Sequence, residues 1–209
     1  MLYSITDRNQ TRGRSLVDVV KSALDGGVRL IQLREKELSG KELFNLAKEL
    51  RTLTNQYKAR LFINDRLDIA MAVGADGVHL GRESMSVRDV KRAVHPGESP
   101  LIVGVSTHSI QEALEAESDG ADFITFGPVY HTLSKAKYGE PVGIERLKEA
   151  AETVKIPVFA LGGIKTENIA ELKSAGAYGV AVISAIMAAV DVKTAAEDIL
   201  KHLARYADA

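Results

Sequence analysis

Short runs of β-branched and apolar residues recur along the chain, and each is followed by a stretch with helical spacing. The predicted strands are residues 2–6, 28–33, 60–64, 76–80, 101–105, 122–126, 157–161 and 178–183. Amphipathic stretches such as SLVDVVKSALDGG and GKELFNLAKELRTLTNQ lie between them. Apolar residues that recur three and four positions apart are typical of a helix with one buried face. The pattern therefore predicts strands and helices in alternation.

The number of these units indicates the fold. Eight strand–helix units in 209 residues give about 26 residues per unit, close to the ~30 of a βαβ unit. Strict alternation favours a parallel sheet covered by helices, and eight units favour closure into a (β/α)8 TIM barrel. The alternative is an open doubly wound sheet, but no G-x-G-x-x-G follows the first strand. We predict a single α/β barrel domain over residues 1–209, without a linker.

Charge and cysteine content narrow the function. Lys+Arg total 27 against Asp+Glu 28, a net charge of −1, so neither nucleic acid nor an anionic membrane is an expected partner. The chain has no cysteine, which excludes disulfides, thiolate metal sites and thiol nucleophiles. The first residues lack a signal-peptide pattern, and no apolar run approaches the roughly 20 residues of a transmembrane helix. We expect a soluble cytoplasmic protein.

Polar residues concentrate where the predicted strands end. Gln32, Arg34 and Lys36 alternate at the end of the second strand, so they share one face of an extended chain. The other candidate site residues that follow strand ends, some of them polar and some able to offer only backbone groups, are Asn64, Asp65, Ser106, Thr132, Ser134, Lys135, Gly163, Ile183 and Ser184. The carboxyl ends of the strands meet at one end of a TIM barrel, where the active site lies. These residues are therefore predicted to line one rim.

The residue types at this rim indicate anion binding. Arg34, Lys36 and Lys135 supply three cations from two strand ends. The loops after strands seven and eight, with Gly163 and Ser184, can hold a phosphate against backbone N–H groups. Asp65 stands among the cations and is a candidate ligand for Mg²⁺ that bridges a diphosphate. The prediction is a site for two phosphorylated molecules or for one large one.

Other interpretations compete for single residues. Arg34 and Lys36 flank Glu35 and could form ordinary surface ion pairs. Asp65 could cap the third helix with its side chain. His79 is more typical of a buried barrel histidine with satisfied hydrogen bonds than of a catalyst. Only the placement of all these residues at the same strand ends favours a functional site.

Nine stretches in order between residues 2 and 186 resemble the thiamine phosphate synthase (thiamine-phosphate pyrophosphorylase) family. They are LYSITD, QLREK, FINDRLDIA, ADGVHLG, GVSTHS, GADFITFGP, TLSK, ALGGI and GVAVISAI. The resemblance implies a transferase of thiamine biosynthesis. It joins 4-amino-2-methyl-5-(diphosphooxymethyl)pyrimidine, the pyrimidine diphosphate, to a thiazole phosphate and releases diphosphate. The implied mechanism is dissociative and assisted by Mg²⁺.

The resemblance also implies roles for individual residues. Those that would contact the pyrimidine diphosphate are Gln32, Arg34, Lys36, Asn64, Ser106 and Lys135. Catalysis would depend on Arg34, Lys36, Ser106 and Lys135. The thiazole phosphate would contact Thr132, Ser134, Gly163, Ile183 and Ser184. Mg²⁺ would be bound by Asp65 and at the position of Ser84.

Two departures from the family pattern stand out. Ser84 occupies a position where the family usually has an acidic Mg²⁺ ligand, and a serine is a poor substitute for a carboxylate. The adjacent Glu83, a water molecule or the substrate's own oxygens could complete the site. His131 stands where the family often has proline, and Ser134 replaces a common threonine but keeps the hydroxyl.

Two other functions stay open. Thiazole tautomerases share the fold, and a histidine at the place of His108 is their acid–base catalyst. They tend to lose the diphosphate-binding residues that this chain retains. The third function is a non-catalytic regulator that binds thiamine intermediates. The sequence does not fix the oligomeric state, and a homo-oligomer is compatible with it.

Overall fold

Eight parallel strands close into a barrel in the computed structural model, which describes residues 1–94, 101–132 and 140–206. The strands are β1 (Leu2–Ile5), β2 (Leu30–Leu33), β3 (Arg60–Asn64), β4 (Gly77–Leu80), β5 (Ile102–Thr107), β6 (Phe123–Phe126), β7 (Val158–Leu161) and β8 (Gly179–Val182). Each strand pairs with the next in sequence, and β8 pairs with β1. The predicted (β/α)8 barrel is confirmed, and the open sheet is wrong.

Helices follow the strands and cover the outside of the barrel. They are α1 (Leu16–Asp25), α2 (Gly40–Gln56), α3 (Leu67–Val73), α4 (Val87–Ala93), α5 (Ile110–Ser118), α6 (Gly143–Thr153), α7 (Ile169–Ser174), α8 (Ser184–Met187) and α9 (Val192–Ala204). Short 3-10 helices lie at Arg8–Gln10 and Thr166–Asn168. Within the described ranges, no helix has the length and apolar character that crossing a membrane requires.

Local sequence explains where these helices form and which face they bury. The buried residues of α1 are Leu16, Val19, Val20, Ala23 and Leu24. Their spacing of three and four places them on one face, which packs on the sheet. A capping box starts α2: the Ser39 hydroxyl accepts a hydrogen bond from the Glu42 N–H, and the Glu42 carboxylate accepts one from the Ser39 N–H at 2.9 Å. Such boxes satisfy N–H groups that a helix start leaves unpaired.

Aromatic rings fill the inside of the barrel. Tyr3, Phe62, Phe123 and Phe159 contact one another with ring centroids 5.4–5.9 Å apart, mostly in the edge-to-face arrangement that aromatic pairs favour. Gly104 makes room for them, because a Cβ there would lie 2.3 Å from the Phe123 ring. The interior is thus a packed core, and the polar residues at one end of the strands rest on it.

Ser4 of β1 carries a buried hydroxyl that has no hydrogen-bond partner among the residues the structure describes. An unpaired buried polar group costs about 1–3 kcal/mol. We expect Ser4→Ala to raise the free energy of unfolding by about 1 kcal/mol, measured by urea denaturation. The control is Thr107→Val, which removes a buried hydroxyl that does donate to the Thr125 carbonyl and should lower the free energy of unfolding. A loss of stability in both variants would contradict this account of Ser4.

Candidate active site

The predicted site residues lie where the strands end, at one rim of the barrel. Since all eight strands are parallel in one closed sheet, their carboxyl ends face the same side. The predicted site residues in the described part of the chain are Gln32, Arg34, Lys36, Asn64, Asp65, Ser84, Ser106, Thr132, Gly163, Ile183 and Ser184. Ser134 and Lys135 lie outside the described residues.

A chain of hydrogen bonds crosses the inside of the barrel just below this rim. The Gln32 amide Nε2 donates to the Tyr3 hydroxyl at 2.9 Å. That hydroxyl lies 3.4 Å from His79 Nδ1, and His79 Nε2 lies 3.0 Å from the Ser106 hydroxyl. Gln32 and Ser106 are thus connected through two buried side chains. The interpretation of His79 as a buried histidine with satisfied partners is confirmed.

The Gln32 amide, which donates to Tyr3, sets the direction of the donors in this series of hydrogen bonds. Tyr3 accepts from Gln32, and burial raises the pKa of the Tyr3 hydroxyl, which therefore keeps its proton. It can then donate to His79 Nδ1, so that the proton of the neutral imidazole is on Nε2 and points at Ser106. The Ser106 oxygen also accepts from Thr125 at 3.4 Å. In this assignment, Ser106 accepts in both of its hydrogen bonds, and its own hydroxyl hydrogen has no recorded acceptor among the described residues.

A buried carboxylate holds the backbone that carries the cations. Glu35 is only 3% exposed, and its two oxygens accept from the Thr6 hydroxyl at 2.5 Å and from the Arg8 N–H at 3.0 Å. The Thr6 hydroxyl in turn accepts from the Arg34 N–H at 2.9 Å. These bonds fix the chain directly after β2 to the chain directly after β1.

Arg34 and Lys36 are the cationic part of the rim. The Arg34 side chain is half-buried and that of Lys36 is exposed. The alternative in which they form surface ion pairs with Glu35 is wrong, because Glu35 is buried against Thr6. No carboxylate of the described ranges forms an ion pair with either cation. Neither charge is therefore neutralised by a carboxylate of the described residues.

A small cavity of about 40 Å³ lies between the ends of β7 and β8. Four predicted site residues line it: Thr132, Gly163, Ile183 and Ser184. Helix α8 begins at this cavity, and the first N–H groups of a helix have no partner within the helix. Such N–H groups favour an anion. The cavity brings together the residues expected around the thiazole phosphate.

Two glycines allow the loop after β6 to lie directly on the loop after β7. A Cβ on Gly162 would lie 2.5 Å from Pro128, and one on Gly163 would lie 2.7 Å from Tyr130. Both glycines also have positive φ, 96° and 66°, a conformation that costs other residues free energy. The Tyr130 N–H donates to the Gly162 carbonyl at 3.1 Å. This contact brings Thr132 to the cavity between the ends of β7 and β8.

Comparison with known proteins identifies the family. Residues 2–186 match a family model described as thiamine monophosphate synthase. The chain belongs to this family. It is 54% identical over 202 residues to a putative thiamine-phosphate synthase of Geobacter sulfurreducens, an alignment that covers 97% of this chain and 93% of the relative. It is 48% identical to the thiamine-phosphate synthase of Pyrococcus abyssi, with 96% and 93% covered. The thiamine phosphate pyrophosphorylase structure from Pyrococcus furiosus superposes with a TM-score of 0.89 at 42% identity, over 98% of this chain and 96% of that one.

The Mg²⁺ ligands expected from the thiamine monophosphate synthase family are only partly present. Asp65 follows β3 with an exposed side chain and a positive φ of 65°. It does not cap α3, as one interpretation held, because the N-cap residue is Arg66. The Ser84 hydroxyl accepts a hydrogen bond from the Gly81 N–H at 2.8 Å. No cluster of three acidic or histidine side chains occurs in the described ranges.

One carboxylate nevertheless fits the way Mg²⁺ binds. This cation is commonly bound by one or two carboxylates, with substrate phosphates and water as its other ligands. Asp65 provides one such carboxylate. Ser84, which follows the neighbouring strand β4, offers a hydroxyl, and a neutral hydroxyl is a weaker ligand than a carboxylate. The donor set suits a metal that arrives with a diphosphate rather than a preformed metal centre.

His108 is exposed, and a hydrogen bond to the backbone orients its ring. Its Nδ1 forms a short hydrogen bond with the Gly127 carbonyl. A carbonyl only accepts, so the proton is on Nδ1 and the other nitrogen, Nε2, is the basic one. The backbone N–H of His108 donates to Glu112 at 2.6 Å.

Four supporting residues were not predicted from the sequence: Tyr3, Thr6, Glu35 and Thr125. One signal could have identified Glu35. It is out of phase with Gln32, Arg34 and Lys36, so it should face away from the barrel axis, where a carboxylate needs a buried partner. The partner Thr6 is 29 residues away and no local pattern marks it.

Glu35 should give stability an unusual pH dependence. Burial raises its pKa, and the hydrogen bonds from Thr6 and Arg8 offset only part of that effect. A carboxyl with a raised pKa in the folded state stabilises the protein below its unfolded-state pKa and loses this contribution as pH rises through the folded-state pKa. The free energy of unfolding of the wild type, relative to Glu35→Gln, should therefore fall as pH rises from acid to neutral in urea denaturation.

Glu42→Gln is the control for this measurement. The hydrogen bonds from Ser39 lower the pKa of Glu42, so the wild type should gain relative to that variant as pH rises. Differences of the same sign for Glu35 and Glu42 would contradict the assignment of Glu35 as a desolvated carboxyl.

Proposed function

We propose that this protein is a thiamine phosphate synthase, a transferase that joins the pyrimidine diphosphate to the thiazole phosphate and releases diphosphate. One observation carries the proposal: the same rim offers two anion subsites of different kinds. Arg34 and Lys36 are cations without a described partner, and a separate cavity at Gly163 and Ser184 lies at the start of α8. A reaction between two phosphorylated molecules needs such a pair of subsites, and the family membership supports this reaction.

The pyrimidine diphosphate would bind on the β2–β5 side of the rim. Gln32 and Ser106 would contact the ring, because the hydrogen-bond chain through Tyr3 and His79 holds both in fixed directions. Asn64, at the end of β3, would add a further polar contact. Arg34 and Lys36 would bind the diphosphate, with Lys135 as the predicted third cation.

The thiazole phosphate would bind at the cavity between β7 and β8. Gly163, Ile183 and Ser184 would offer N–H groups, and Thr132 a hydroxyl. The predicted hydroxyl of Ser134 would complete this set.

The chemistry needs charge stabilisation and no strong base. The bond between the pyrimidine methylene carbon and the diphosphate oxygen breaks, and its electron pair leaves with the oxygen. The thiazole nitrogen then donates its lone pair to the methylene carbon, so no proton has to move. Negative charge grows on the departing oxygen, and fixed cations such as Arg34 and Lys36 stabilise it more in the transition state than in the ground state.

Mg²⁺ would be held by Asp65, with the Ser84 hydroxyl nearby. When bound, it would neutralise charge on the diphosphate oxygens and so improve the leaving group. This cofactor stays a prediction, as do the cytoplasmic location and a homo-oligomeric state.

The second candidate is a thiazole tautomerase, and one observation favours it. The hydrogen bond to Gly127 orients His108 so that Nε2 is available as a base. The retained cations argue against this function, since an isomerisation of the thiazole phosphate has no use for a diphosphate subsite.

Turnover with defined substrates tests the proposal. The purified protein, given both substrates and Mg²⁺, should form thiamine phosphate and diphosphate in equal amounts, and EDTA should lower the rate. Reactions that lack one substrate are the controls. Exchange of thiazole tautomers without coupling would replace the synthase with the tautomerase. Ligand-induced rises in Tm without any turnover would favour the regulator instead.

Lys36→Ala tests the division into subsites. The KM for the pyrimidine diphosphate should rise about tenfold or more, since a hydrogen bond to a charged group contributes about 1.5–3 kcal/mol. The KM for the thiazole phosphate should change little. Lys201→Ala, on the exposed side of α9, is the control and should leave both values unchanged. Equal increases for the two substrates in Lys36→Ala would contradict the assignment.

A further inference from the structure

Arg14 uses its guanidinium group entirely on backbone carbonyls. It lies in the loop between β1 and α1 and is half-buried. Its Nε donates to Thr11 at 2.8 Å. Its Nη2 donates to Met187 at 3.1 Å and to Ala189 at 2.8 Å, and its Nη1 donates to Val190 at 3.3 Å. None of the described carboxylates forms an ion pair with it.

Three of these carbonyls lie at or just beyond the end of α8. Met187 is its last residue, and the chain from Ala188 to Val190 follows. The last carbonyls of a helix have no partner within the helix and carry its negative partial charge. Arg14 is therefore the cap of α8, provided by a loop more than 170 residues earlier.

The other end of α8 lines the phosphate cavity. Ile183 and Ser184 form part of the cavity wall, and α8 has only four residues, a length of about 6 Å. A single helical turn is unstable by itself, because its nucleation is unfavourable. Its position must therefore come from contacts with the rest of the molecule. Arg14 makes one to the last residue of α8, Met187, and two to the residues that follow, Ala189 and Val190.

We propose that Arg14 is a positioning residue for the thiazole phosphate subsite. Its hydrogen bonds at the C-terminal end of α8 fix the position of this helix and so of Ser184, which lines the cavity at the other end. This inference rests on the proposed function for the identity of the ligand. It does not give Arg14 a contact with the phosphate.

The geometry of the guanidinium is what suits an arginine to this task. Its donors form a rigid planar fork, and here the fork spans carbonyls of Met187, Ala189 and Val190 at once. A lysine would keep the charge but has only a compact ammonium group. The neighbouring Arg12 adds one longer bond of 3.4 Å to the Ala188 carbonyl from an exposed position.

Substrate-specific kinetics and direct binding test the proposal. In Arg14→Ala, the KM for the thiazole phosphate and its Kd by calorimetry should both rise about tenfold, as expected if about 1.4 kcal/mol of binding free energy is lost. The KM for the pyrimidine diphosphate should stay within about twofold, less than 0.5 kcal/mol on the same scale. Arg14→Lys should fall between the wild type and Arg14→Ala, and it also serves if the alanine variant does not fold.

Arg29→Ala is the matched control. Arg29 also donates to two carbonyls, those of Leu24 at 2.9 Å and Val28 at 2.7 Å, but it lies at the start of β2, at the opposite end of the barrel. The Arg29→Ala variant should have a lower Tm than the wild type and an unchanged KM for both substrates.

Two outcomes would overturn the inference. One is an Arg14→Ala variant that loses Tm as Arg29→Ala does but binds thiazole phosphate as the wild type does. The other is full wild-type affinity in Arg14→Lys, which would remove the role of the fork. A wild type that neither binds thiazole phosphate nor turns over would instead refute the proposed function.

Discussion

The active-site rim depends on the requirement that a polar side chain buried in the barrel must have a hydrogen-bond partner. Alternation along each strand sends successive side chains to opposite faces of the sheet, and each face meets the requirement differently. On the inner face, Gln32 and Ser106 are connected through Tyr3 and His79. On the outer face, Glu35 is paired with Thr6. The groups that face a ligand keep their directions because these buried partners leave them few alternatives.

The sequence predicted the architecture well, because it depends on local patterns, and the predicted site residues that the structure describes follow the strand ends. Every strand was predicted to within two residues at either end, since alternating apolar runs and strand ends can be identified in a short window. The partners of Glu35 and His79 could not be predicted, because they come from other strands. The interpretation of Glu35 as a surface ion-pair partner was wrong because it considered only neighbours in sequence. The interpretation of Asp65 as a helix cap was wrong because α3 starts one residue later, with Arg66 at its N-cap.

The two proposed subsites would bind anions by different physical means, and this difference bears on selectivity. The side chains of Arg34 and Lys36 are long and carry full charges, so they can follow a leaving group as it moves. The cavity at Gly163 and Ser184 lies beside the close contact of Gly162 with Pro128, so under the proposed function it would suit a phosphate that stays bound throughout. The net charge of the whole chain is −1, so the protein has no general attraction for polyanions. Any affinity for anions would therefore come from the local groups at the rim.

The segment after β1 has a consequence for how the two halves of the rim influence each other. Thr6 and Arg8 donate hydrogen bonds to Glu35, which lies between the cations Arg34 and Lys36 in sequence. Arg14, a few residues later, donates to the carbonyls at the end of α8. Under the proposed function, one short connection would therefore support the binding places of both substrates. A shift of this segment would loosen the two binding places together, along the outside of the barrel and without any change in its aromatic interior.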